Sequence, residues 1–560
     1  MSANKRRDIA LTFAVASILA MIVAGLHGNA IGGWWRFDDS LVLAYVVENP
    51  APAIYFFSPQ DWRLLGVPFF TPWLALDFWL DFVLFGHEPA AFYLHHLVMV
   101  WLAALLTFVL LRRFAGPIWS AVGAITFLLG SPTFIVSQQL MSRHYVVGLV
   151  FAILALLSWL NARETGRKCH DALALACYLA ALLNKEVFLL LPLVLFALDE
   201  RGVRERMLAI TPMFATAVVF VLWRWLMLGK LVGGHSDSLH EVGSIISSFA
   251  QLPGVFFGQG ERAFLGMVIL LAALYRVLRF GGTSRVIVPA AVVALAAPFL
   301  AVRIITDTDL RFALIPWWGV CVLLGLGLKS RVTGTIPSQA RWQPYVPVAI
   351  STIGISVFCL VAVAKGTSSA QAYGENTAAF DVQGRFYWDH DSSVAYVPYG
   401  SLSAYLHIQY ASHVLKTRLL GQSAPRSAPF PESARLLLGP VPLYMFDPEC
   451  RCMKAVRSES ASRPSTANIL PQKIQIERHA GNLSWTLATR SDDRCFMRFD
   501  SWNAAFALPC AGDLPFDLPY VQGQFHLLIR AATGAWAATP LLAFPGPSGK
   551  MTWTNPAGSD

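Results

Sequence analysis

The chain has 560 residues, 55% of them hydrophobic and 14% charged, with a mean hydropathy of +0.52. These values exclude a soluble globular chain and indicate a polytopic membrane protein. The formal net charge of +9 is not a nucleic-acid signature, because Lys and Arg sit in short loops between apolar runs, where they set topology.

The chain starts with Lys5-Arg6-Arg7 and an apolar run, as a signal peptide does. The run is long and no small-residue cleavage site follows, so a retained first span over Ile9–His27 is expected, with the N-terminus cytoplasmic. Next come Trp34-Trp35-Arg36-Phe37-Asp38-Asp39-Ser40, which place two adjacent carboxylates where that span leaves the membrane. Acids beside hydrocarbon are costly and mark either a functional site or an interfacial cap; the plain alternative is an N-cap for a helix starting at Ser40. Residues 40–80 are aromatic and broken by Pro50, Pro52, Pro59, Pro68 and Pro72, a pattern for short interfacial helices.

Apolar runs follow at 92–111, 118–136, 145–160, 172–183, 187–198, 208–228, 264–278, 286–302, 312–328 and 345–363. The loop over 229–260 is polar and rich in Gly and Ser. Every second loop is rich in Lys and Arg, which gives about eleven spans with the C-terminus outside. The short pair meeting at Asn184-Lys185-Glu186 also reads as two half-helices that dip and return. Residues 1–365 form the membrane domain and 366–560 a second, extracytoplasmic domain, strand-rich or α+β, with strand character at 473–477 and 525–530. At least one disulfide is expected among its Cys450, Cys452, Cys495 and Cys510, with Cys450 and Cys452 bonded to distant partners because their own ring would be small.

By this topology, ionisable groups gather at several outer boundaries: Asp38, Asp39, Asp61, Arg63, Arg143, His144, Lys185, Glu186, Arg303 and the run Asp307–Arg311. Orientation does not require cations there, so a retained cation suggests a task such as holding a lipid phosphate. Each has a plainer alternative: a polar turn at Lys185-Glu186, a surface ion network joining Arg303 and Arg311 to Asp307 and Asp309, snorkelling for Arg143. His95 and His96 read as packing residues, and no metal-type His/Cys spacing, phosphate loop or nucleophile elbow occurs.

Asp38-Asp39 after a first span resembles the acidic motif in the first outer loop of the C-type (GT-C) membrane glycosyltransferases, such as protein O-mannosyltransferases and the transferases that decorate lipid A with aminoarabinose. Asp61-Trp62-Arg63, the stretch Phe85–Pro89, Phe92–His96 and Leu182–Glu186 resemble segments of the tetratricopeptide-bearing O-mannosyltransferases, as does the run Asp309–Pro316. The likeness spans residues 8–330; Leu64 and Tyr145 depart from it, and no tetratricopeptide repeats follow.

The resemblance implies inverting transfer of a sugar from a polyprenyl-phosphate donor to a hydroxyl of a glycan, lipid or protein acceptor, on the outer face of a bacterial inner membrane. The residues suit that chemistry. A carboxylate serves as general base, here Asp38 with Asp39 the runner-up or its partner. Cations steady the departing phosphate: Lys185 and Arg311 first, then Arg63 and Arg143. Glu186, His144 and Asp61 are expected to contact substrate. The paired acids could hold a divalent metal, but a monophosphate donor requires none, so no cofactor is expected. The alternatives are a lipid-linked glycan transporter, a polymerase, or a non-catalytic cell-envelope assembly factor; the near absence of mid-span charge argues against transport.

Overall fold

The structure is a computed structural model, and it describes residues 3–555 apart from 66–68, 200, 231–241, 281–306, 328–344, 400–408, 432–433, 435–437, 457–470, 472, 480–481, 488–492, 500–503, 509–510, 515–522, 532–534 and 547–548. Helices fill the described chain up to Asp389, and strands dominate beyond it. Six helical segments are long and apolar enough to cross a bilayer, and the protein is an integral membrane protein. They contain α1 (Ala3–His27), α6 (Pro89–Leu111), α9 (Arg143–Thr165), α12 (Val203–Leu228), the helix Leu314–Gly327 and the long helix Tyr345–Asp389.

A seventh crossing forms if α7 (Pro117–Leu129) and α8 (Ser131–Ser137), bent by 59°, count as one. The bend has a packing cause. At its corner Gly130 lies against Trp317, where a Cβ would fall 2.1 Å from the indole. Pro132 in the next turn has no N–H to carry the helix across the corner.

Each apolar run read from the sequence falls on described helix except 286–302, which lies outside the described residues. Among the described residues six or seven of these runs are full spans by length and composition, and α10 (Lys168–Asn184) and α11 (Leu191–Leu198) are short and meet at a break. Between residues 40 and 85 the chain forms α2 (Asp39–Glu48), α3 (Ala53–Phe57), α4 (Pro59–Leu65) and α5 (Pro72–Phe85), short helices delimited by the prolines. The stretch expected to be loop over 229–260 contains α13 (Val242–Phe257), followed by α14 (Glu261–Phe280). Apolar residues at 242, 245, 246, 249, 252, 255 and 256 keep helical spacing that the Gly and Ser content obscures.

Ion pairs mark one end of the bundle: Arg112–Asp8, Arg113–Glu164, Arg163–Asp171 and Arg201–Asp199. Leu19, Phe108, Phe127, Ile153, Tyr178 and Trp317 form its buried interior. The long helix runs through residues 365 and 366 without a break and carries the chain into the C-terminal part.

That part holds three sheets. The first has strand order β2-β1-β3-β4 (Arg426–Ser427, Ala395–Val397, Leu443–Asp447, Cys452–Val456), with β1 parallel to both β2 and β3. The other two are antiparallel: one of order β11 (Trp536–Ala538), β10 (Gln524–Arg530), β7 (Arg494–Phe499), β8 (Ala504–Leu508) with β12 (Leu542–Ala543) on β10, and one of order β13 (Lys550–Thr554), β5 (Lys473–His479), β6 (Asn482–Leu487), β9 (Ala511–Leu514). They include the expected strands as β5 (Lys473–His479) and β10 (Gln524–Arg530). Alternation sends Ile474, Ile476, Phe525, Leu527 and Ile529 inward. These residues belong to one continuous buried cluster with Trp35, Leu43, Tyr45 and Phe78 of the helical part.

The disulfide expectation needs correction. Cys450 bonds Cys452, not a distant partner. The β3–β4 turn brings their Cα atoms to 5.3 Å, and Arg451 between them takes a left-handed φ of 52°. Cys495 is buried within the sheets, and Cys510 lies outside the described residues.

Candidate active site

The loop from Gly33 to Asp39 lies opposite the ion-paired end. Asp39 opens α2 and is fully buried. Its Oδ2 accepts the backbone N–H of Arg36 at 3.0 Å, and its Oδ1 accepts that of Met141 at 2.6 Å. Burial pushes the Asp39 carboxyl up to about 7, with those two N–H groups opposing and the neighbouring Asp38 adding to the rise. Asp38 is half-buried at the N-cap position with helical backbone angles, and its side chain makes no capping bond. The capping alternative therefore does not describe this stretch: Asp39 ties the loop to Met141, and Asp38 is the more open carboxylate. Phe37, just before it, holds a left-handed φ of 48°. That conformation costs an aromatic residue about 1–3 kcal/mol and persists only where the surroundings enforce it.

Lys185 lies in the break between α10 and the turn Glu186–Leu190, and is 4% exposed. Its ammonium sits 3.4 Å from the Phe69 ring centroid and 5.4 Å from that of Tyr145, and no carboxylate lies within salt-bridge distance among the described residues. Burial pushes it down to about 8; the Arg311 and Arg224 charges push the same way, and Glu186 opposes them. The Glu186 carboxylate is taken by Arg224 of α12 at 2.8 Å and by the Phe70 N–H. Arg311 is half-buried with Nη1 3.3 Å from Met141 Sδ, and it too makes no ion pair with a described acid. Met141 thus touches Asp39 through its backbone and Arg311 through its sulfur. His144 is buried beside Tyr145 under the influence of Lys185 and Arg311. The Met141 backbone lies next to it, but neither ring nitrogen reaches hydrogen-bond geometry.

Asp39, Met141, His144, Lys185 and Arg311 are thus linked by contact or charge, and Asp38 adjoins Asp39. Glu186 adjoins Lys185 but is held by Arg224. Arg63 is exposed and donates to the Leu226 carbonyl at the end of α12, and Asp61 is half-buried near Ser58. Arg143 is buried, with Nη1 paired to Asp81 and Nη2 donating to the Phe92 carbonyl. Asp81 also binds His95 Nδ1 at 2.6 Å. Arg303 and the side chain of Asp307 lie outside what is described, and no ion pair joins Arg311 to Asp309. No group of three or more His, Cys, Asp or Glu suited to a metal occurs among the described residues.

Comparison with known proteins gives similarity to solved structures alone. No protein-family model matches the sequence, and no curated relative does. Among solved structures, the chain is similar to ArnT from Cupriavidus metallidurans bound to undecaprenyl phosphate: TM-score 0.43, 14% identity, 79% of this chain and 93% of that one. It is also similar to the Archaeoglobus fulgidus oligosaccharyltransferase tethered to an acceptor peptide: TM-score 0.42, 14% identity, 72% of this chain. The match spans 63% of that longer protein.

Sequence reasoning passed over three residues that shape the site: Arg36, Arg224 and Asp381. Arg224 carried a readable signal, a lone cation inside an apolar run. Asp381 carried none, because its partner lies 345 residues earlier in the chain.

Proposed function

We propose that the protein is a glycosyltransferase that moves a sugar from a polyprenyl-phosphate donor to a hydroxyl acceptor, on the extracytoplasmic face of a bacterial inner membrane. The observation that carries this reading is the Lys185 ammonium: buried, faced by aromatic rings, and without a carboxylate partner among the described residues. A buried cation is costly unless an anion joins it. Glu186, the nearest acid in sequence, is held by Arg224 instead. An incoming phosphate with one negative charge satisfies Lys185, with Arg311 as the second donor. Phe69 and Tyr145 offer apolar faces to the prenyl chain or the sugar ring.

Asp38 then lies on the side of the phosphate where an acceptor arrives. It takes the hydroxyl proton as the acceptor oxygen bonds to the anomeric carbon, while the carbon–oxygen bond to phosphate breaks and the lipid phosphate leaves. Attack opposite the leaving group inverts the centre. The charge that grows on the phosphate is met by Lys185 and Arg311, preorganised in a dry site. Asp39 holds the loop and is the second choice for the base. Residues beyond the membrane part, 366–560, are read as the extracytoplasmic domain on the acceptor side.

The test is transfer in liposomes from a panel of undecaprenyl-phosphate hexoses and pentoses, with membranes of a null strain as acceptor. Asp38→Asn should bind undecaprenyl phosphate normally and lose about 10²–10⁴-fold in turnover, the usual contribution of a positioned base. If Asp38→Asn and Asp39→Asn both fold and both retain near-normal turnover, this mechanism is wrong.

A further inference from the structure

The loop that carries Asp38 is held from the C-terminal side of the molecule. Arg36 is 7% exposed and grips Asp381 with two bonds, Nε to Oδ1 at 2.9 Å and Nη2 to Oδ2 at 2.5 Å. The Trp34 N–H donates to the same Oδ1 at 3.0 Å. Asp381 lies on the long helix beyond the bundle, and that helix also packs against the loop. Phe37 meets Tyr373 and Phe380 at 6.0 and 6.2 Å between centroids. Gly384 touches Trp34 so closely that a Cβ would fall 2.1 Å from the indole. From further along the chain, Ala411 donates its N–H to Ser40 Oγ at 2.9 Å. Residues on both sides of Asp38 are thus fixed by the region after residue 370.

We propose that this extension of the long helix sets the conformation of the Asp38 loop, with Asp381 and Arg36 as positioning residues for the base; the inference rests on the reading of Asp38 given above. The physical need is clear. Phe37 holds a strained left-handed conformation that the local sequence does not favour, so an outside contact must enforce it. A bidentate Arg–carboxylate pair is rigid enough to do so, and displacing a base by about 1 Å costs on the order of 10²-fold in rate. The C-terminal part then acts as one wall of the active site.

The experiment uses the full-length protein in liposomes. Bound undecaprenyl phosphate per mole of protein counts the folded molecules, and turnover is expressed per binding-competent molecule. Asp381→Asn should lower kcat at least tenfold with the donor KM within twofold of wild type, and Asp381→Glu should recover part of the loss. Gly384→Ala, which alters no charge, should lower kcat in the same way by pushing Trp34. Hydrogen exchange of residues 33–48 should rise in both variants while residues 145–160 stay protected. Unchanged kcat in both variants, in a wild type that turns over, overturns this inference and leaves the proposed function standing. If the wild type neither binds the lipid nor transfers sugar, the proposed function fails, and exchange decides the loop question alone: unchanged exchange over 33–48 overturns the positioning role, and raised exchange supports it.

Discussion

Replacing Lys185 by Met separates a binding cation from a structural one, because the two roles predict opposite changes in stability. The side chain lies in the α10–Glu186 break and is depressed from 10.5 to about 8, chiefly by burial. At 1.36 kcal/mol per tenfold in acidity, that fall corresponds to roughly 3 kcal/mol of cost for holding the charge in the ligand-free protein. Attraction to the Phe69 and Tyr145 rings returns about 0.5–2 kcal/mol of it. Met keeps the length and loses the charge, so the ligand-free variant should be more stable by roughly 1–2 kcal/mol. Thermal unfolding in detergent at pH 7 reads this as a higher Tm.

The pH dependence follows with a definite sign. Below about pH 8 Lys185 is protonated in both states and the cost is fully present. From there to 10.5 the unfolded chain keeps a proton that the folded protein has released, so wild-type stability should rise with pH. The Met variant should lack that rise. Undecaprenyl phosphate should raise the wild-type Tm, and the variant should bind it about 10–100-fold more weakly, the value of one charge-assisted hydrogen bond of about 1.5–3 kcal/mol. A variant that is less stable than wild type, or that binds the lipid with unchanged affinity, refutes the reasoning.

Asp39 should give the opposite slope: its carboxyl is raised from 3.8 to about 7, so stability is greatest below 3.8 and is lost as pH rises through 7, and Tm of wild type against Asp39→Asn over that window checks it. Arg224→Met should free Glu186 to pair with Lys185 and weaken undecaprenyl phosphate binding at least tenfold, although Arg224 is not assigned to the phosphate; adding Glu186→Gln should restore most of the loss in the same binding assay. Cysteines placed near residues 165 and 203 should resist a membrane-impermeant thiol reagent in intact cells, whereas one near residue 450 should react; labelling of the first two from outside would reverse the orientation.

Much of the helical part was legible because hydropathy acts locally. A run such as 92–111 must be helical in a bilayer to satisfy its own backbone, and α6 (Pro89–Leu111) follows that run within a few residues. The strands at 473–479 and 524–530 were legible by alternation for the same reason. What escaped depends on distant packing. The 59° bend between α7 and α8 needs Trp317, which no local pattern connects to Gly130. The Cys450–Cys452 bond escaped for a different reason. Ring size was weighed without the turn that brings the two Cα atoms together, and that turn needs Arg451 in a left-handed conformation that non-glycine residues rarely take.

The candidate site divides along the same line. Asp38, Lys185 and Arg311 stood out because charge at a membrane boundary is conspicuous. Arg143 stood out for the same reason, and its guanidinium is paired with Asp81, a residue on α5. Charge at a boundary therefore marks an energetic problem but not its solution, which is a partner in the fold or a ligand. Arg143 has the partner, as Glu186 does in Arg224. Lys185 has only aromatic faces among the described residues, and this difference, invisible in the sequence, separates the cation expected to meet phosphate from the cation that holds the scaffold.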